Sequence, residues 1–158
     1  TNTFVAAFIG SPAMNLVDAD AADGVLSFAG WKLPTTLAGA QRIIAGIRPE
    51  AFEDARFADP SLPVVEVTVQ VVEDLGADAH VIFEIDAPPV DVTEVREAAG
   101  DDETLIVTDR ASFTARVDPQ TSARPGAPLR LAIDPSKFHF FDPATGLRLE
   151  TARQLVPA

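Results

Sequence analysis

Four stretches of this chain alternate apolar and polar residues with a period of two. In residues 64–72, Val65, Val67, Val69 and Val71 alternate with Glu66, Thr68 and Gln70. In residues 80–85, Val81, Phe83 and Ile85 alternate with His80, Ile82 and Glu84. Phe113, Ala115 and Val117 alternate with Thr114 and Arg116, and Leu129, Leu131 and Ile133 with Arg130 and Ala132. Successive side chains of an extended chain point to opposite faces, so each run predicts a strand with one buried face. A helix would scatter the same residues around its axis. Weaker strand patterns cover residues 15–19, 25–28, 43–48, 105–108 and 138–141.

The punctuation between the runs agrees. Thirteen prolines and nine glycines fall mostly outside them. Four Asp-Pro pairs (Asp59-Pro60, Asp118-Pro119, Asp134-Pro135, Asp142-Pro143) predict strand ends or turns. Asp18-x-Asp20-x-x-Asp23-Gly24 resembles the start of a calcium loop, but Ala22, Asp23 and Ala29 stand where such a loop needs an oxygen ligand, Gly and Glu. Asp23-Gly24 is instead expected to be a hairpin turn. Many short strands with turn signals at this spacing predict a mainly β barrel or sandwich.

Three segments depart from the β pattern. In residues 1–12, Phe4/Phe8 and Val5/Ile9 are i,i+4 pairs ahead of Gly10 and Pro12, which predicts a short N-terminal helix. Residues 49–56 predict a single helical turn started by Pro49. Residues 86–104 hold seven acids against Arg96, half of the net charge of −12. They predict a solvated excursion with at best a short helix at residues 93–99.

Charge and composition narrow the function. With 24 acidic against 12 basic residues, the chain repels phosphate backbones, so no nucleic-acid partner is expected. It holds no Cys, hence no disulfide, thiolate nucleophile or Cys-ligated metal. The longest apolar run, residues 4–9, is far short of the ~20 residues of a membrane span. The chain opens inside an apolar segment without Met, as a piece of a longer protein would.

No catalytic apparatus is legible. Neither Lys32 nor Lys137 follows a Gly, so there is no phosphate-cradling Gly-Lys-Ser/Thr. Leu105-Ile106-Val107-Thr108-Asp109 only faintly resembles a Mg²⁺-holding strand end. His80 and His139 sit on the polar faces of their runs, and no Ser has a base nearby in sequence. Catalytic, cofactor-binding and metal residues are therefore expected to be absent. Trp31, Ile82 and Phe141 are the candidate interaction-surface residues, being large apolar side chains that alternation could leave exposed.

One resemblance covers nearly the whole chain. Residues 4–15, Phe-Val-Ala-Ala-Phe-Ile-Gly-Ser-Pro-Ala-Met-Asn, resemble the junction after the nucleotide-binding domain in ATPase subunits of carbohydrate-importing ABC transporters, the maltose and glycerol-3-phosphate type. Gly46-Ile47-Arg48-Pro49-Glu50, Val71-Val72-Glu73-Asp74-Leu75-Gly76, and His139-Phe140-Phe141-Asp142-Pro143 resemble later family motifs in the same order.

The resemblance implies a helical stub at 1–12 and a regulatory domain at 13–158. That domain would hold two small OB-type (TOBE-like) β-barrel subdomains, with strands able to interleave and an acidic insertion at 86–104. It implies a regulatory and dimerisation role in an importer for sugars or related solutes. The implied partners are a second copy, its own nucleotide-binding domain, the permease through that domain, and a regulatory protein. ATP and Mg²⁺ would belong to the absent domain, and the location would be the cytoplasmic face of the membrane. The alternative is a free-standing OB-type oligosaccharide-binding module. A small sugar-acting enzyme would need a convergent carboxylate pair in a cleft.

Overall fold

The computed structural model describes residues 14–37, 39–90, 110–145 and 148–149. The expected helices at 1–12 and 93–99, the strand at 105–108 and most of the acidic stretch lie outside them. The described residues form twelve strands, β1 (Asn15–Ala22), β2 (Val25–Phe28), β3 (Trp31–Pro34), β4 (Gln41–Ile47), β5 (Phe52–Asp54), β6 (Val64–Thr68), β7 (Val71–Asp74), β8 (Ala79–Glu84), β9 (Ser112–Val117), β10 (Pro128–Ile133), β11 (His139–Phe141) and β12 (Arg148–Leu149).

The sheets are nested along the chain. A six-stranded sheet has the order β12-β11-β4-β1-β2-β3, a second β5-β10-β6, a third β7-β8-β9, and every pairing is antiparallel. The chain thus leaves the first sheet after β4, builds the other two, and returns through β10 to the second and β11 to the first.

The run at 64–72 is one strand by periodicity but two in the structure. β6 pairs with β10, whereas β7 pairs with β8. The exchange falls at Val69–Gln70. Val69 N–H donates to Ala127 O at 2.9 Å, and Gln70 N–H donates to Ile82 O at 2.8 Å. The bend adds a residue to the exposed face, so Gln70 and Val71 are both exposed and Val72 turns inward. Val71, expected on the core face, is 45% exposed. One continuous bent strand shared by two sheets is how a small barrel turns a corner. The barrel closes where β5 meets β9. There Asp118 N–H donates to Glu53 Oε1 at 2.8 Å and Thr121 Oγ1 donates to Asp54 Oδ2 at 2.6 Å.

Phe52, Phe83 and Phe113, one from each of β5, β8 and β9, fill this barrel with ring centroids 5.8 to 6.4 Å apart. The same apolar core runs on into the first sheet through Val17, Leu26, Leu33 and Ile43. A smaller cluster of Met14, Ile44 and Phe141 covers the opposite face of β4. β4 is buried on both faces from Ile43 onward, which is why its sequence shows a continuous apolar run rather than alternation.

The expected helical turn at 49–56 is two 3-10 turns, Pro49–Ala51 and Ala55–Phe57, with β5 between them. All four Asp-Pro pairs are turns of one kind. The Asp carboxylate accepts the N–H two residues on, from Ser61, Gln120, Ser136 and Ala144, at 2.7–3.1 Å. The intervening Pro has no N–H to compete and holds its own φ near the turn value.

Candidate functional site

Two tight hairpins lead up to a cleft lined by described residues. Asp23-Gly24 joins β1 to β2 with both residues at positive φ, +54° and +78°. Ala29-Gly30 repeats this between β2 and β3, at +55° and +79°. Both are the tight turn whose twist matches antiparallel strands. The first was legible from Asp-Gly; the second, and β3 with it, was not, because Ala rarely occupies that conformation.

The second turn faces β6 and the end of β8 across a cleft of about 490 Å³. Ala29 and Trp31 supply one wall. Glu66, Val67 and Thr68 of β6 and Gln70 at the bend supply another. Glu84, Ile85, Asp86 and Arg110 supply the third. Backbone bonds beyond β8 hold that third wall, Ile85 N–H to Ala111 O at 3.0 Å and Ala111 N–H to Ala87 O at 2.8 Å. Arg110 Nε donates to Ile85 O at 3.2 Å, which lays the guanidinium along it. The Trp31 ring is half-buried and meets Phe28 edge-on, centroids 5.5 Å apart.

The three candidate surface residues do not form one surface. Trp31 begins the edge strand β3, four strands away from β11 in the first sheet. Phe141 on β11 is 1% exposed and packs with Met14 and Ile44, so it is a core residue here. Its run of three Phe in four positions has both faces covered, and alternation fails where both faces are buried. Ile82 lies half-buried on the outer face of the third sheet, in register with Val71 and Thr114.

Beside that row stands a charged one, Glu73, His80 and Arg116, also in register. His80 Nδ1 is 4.0 Å from Glu73 Oε1, and Arg116 Nε is 3.3 Å from Asp78 Oδ2. Such exposed pairs contribute roughly 0–1 kcal/mol each. No group of three or more His, Asp or Glu among the described residues is placed to hold a metal ion. No helix among them is long and apolar enough to cross a membrane.

The polar members of the cleft, Glu66, Gln70, Glu84, Asp86 and Arg110, had no signal in sequence. Glu66 and Glu84 come from different sheets, Gln70, Asp86 and Arg110 lie between strands, and the five carry no fixed spacing.

Residues 10–52 match the model of the MalK OB fold domain. The chain is 36% identical over 153 residues to the sulfoquinovosyl glycerol transport ATP-binding protein SmoE of Agrobacterium fabrum, covering 91% of this chain and 36% of that protein. It is 33% identical over 161 residues to the trehalose import ATP-binding protein SugC of Mycobacterium tuberculosis, covering 94% and 41%. It is 31% identical over 159 residues to the trehalose/maltose import ATP-binding protein MalK of Thermococcus litoralis, covering 92% and 37%. The chain therefore spans between a third and about two fifths of these relatives. Its fold is also similar to that of the cytoplasmic molybdate-binding protein ModG in its molybdate-bound form, with a TM-score of 0.53 at 14% identity, over 84% of this chain and 98% of that one.

Fold and matches together define a mainly β domain of OB type. Over more than nine tenths of its length the chain is similar to ATP-binding subunits of sugar-importing ABC transporters, and its residues 10–52 match the MalK OB fold domain.

Proposed function

We propose that this chain is the regulatory and dimerisation domain of an ABC-importer ATPase subunit that energises uptake of sugars or related solutes. The observation that carries this reading is coverage. Relatives named as importer ATP-binding subunits account for more than nine tenths of the chain, while the chain accounts for well under half of each. A free-standing oligosaccharide-binding module is the weaker reading on the same ground.

In this reading residues 13–158 form the domain, as two small interleaved subdomains. ATP and Mg²⁺ are bound outside this chain, which has no Gly-Lys-Ser/Thr cradle. The partners are a second copy, the subunit's own nucleotide-binding domain, the permease reached through it, and a regulatory protein. The assembly sits at the cytoplasmic face of the membrane.

Calorimetry with MgATP and a phosphate-release assay on the 158-residue chain should both be silent. Micromolar MgATP binding would overturn the reading. Sedimentation equilibrium should show weak self-association that tightens with salt, because two copies at −12 repel and screening shortens from about 10 Å at 0.1 M to about 3 Å at 1 M. A strict monomer at both salts would remove dimerisation from the proposal.

A further inference from the structure

We draw no further inference here: the strongest candidate, the outer face of the third sheet, where Val71, Ile82 and Thr114 form one cross-strand row beside Glu73, His80 and Arg116, carries nothing because nothing in the structure shows what covers it.

Discussion

Asn15 of β1 completes the hydrogen bonding of Thr114 on β9, ninety-nine residues away. Asn15 Oδ1 accepts from Thr114 N–H at 2.8 Å, and Asn15 Nδ2 donates to Thr114 O at 2.9 Å. The same Nδ2 donates to Ile47 O at 2.8 Å on β4. The carboxamide behaves as one extra peptide unit at the open edge of β9 and stitches the first sheet to the third. Asn15 is one of two buried polar or charged residues among those described, the other being Asp54.

Replacing Asn15 with Ala should therefore cost about 2–4 kcal/mol. The substitution strands a buried N–H and two carbonyls, each carrying about 1–3 kcal/mol of desolvation that the cavity can only partly rehydrate. Urea denaturation would show a lower midpoint with an unchanged slope. A loss below about 0.5 kcal/mol would mean that water replaces the amide freely.

Gly46→Ala should be destabilising by about 1–3 kcal/mol, the usual range for overpacking a core. A Cβ at Gly46 would overlap the Met14 sulfur and lie 3.0 Å from the Phe141 ring. The backbone itself is unstrained there, so the effect is steric and local. Adding Met14→Ala should recover part of the loss, a coupling that a double-mutant cycle in chemical denaturation would measure. Strict additivity would contradict the clash.

Ala29→Asn should raise the midpoint of thermal unfolding. Ala29 sits at φ +55°, where an ordinary side chain costs roughly 1–2 kcal/mol and Asn much less. Asn-Gly is also the preferred pair for this turn. A gain of about 0.5–1 kcal/mol is expected, and a lower midpoint would show that the half-buried Ala29 methyl matters more than the turn.

The Asp59 carboxyl should titrate below the usual aspartate value of 3.8. Its charged form accepts the Ser61 N–H first and the Ser61 hydroxyl second. A depressed carboxyl contributes to folding above its ordinary value, and the contribution disappears as pH falls through the depressed one. Carbon-detected NMR titration would give the value directly. Ser61→Ala should move it part of the way back, since the backbone bond remains. An Asp59 titrating at or above 3.8 in the parent chain would contradict the turn geometry.

Local chemistry was legible in the sequence. The strands at 80–85 and 113–117 were visible because each fully buries one face only, so their pattern has a clean period of two, and the strand at 129–133 keeps that period in its large residues although the small Ala132 is buried as well. Asp23-Gly24 and the four Asp-Pro turns were visible because their hydrogen bonds close within two or three residues. Ordered motifs pointed to the family because they are words in the chain itself.

What the sequence could not specify is whatever depends on which strand comes to lie beside which. The run at 64–72 reads as one strand because its apolar period continues through Val71, yet β10 releases the chain at Val69 and β8 takes it up. Phe141 looks like a surface candidate until Met14 and Ile44 are packed on it. Asn15 reads as the end of a motif, and only tertiary contact brings Thr114 within 2.8 Å of its carboxamide. The cleft was invisible for the same reason. Trp31, Gln70, Glu84 and Arg110 are far apart in the chain, and their convergence follows from the nesting of three sheets. Short-range hydrogen bonds and burial periodicity are written in neighbouring residues, whereas a concave site is set by long-range pairing, which no local pattern encodes.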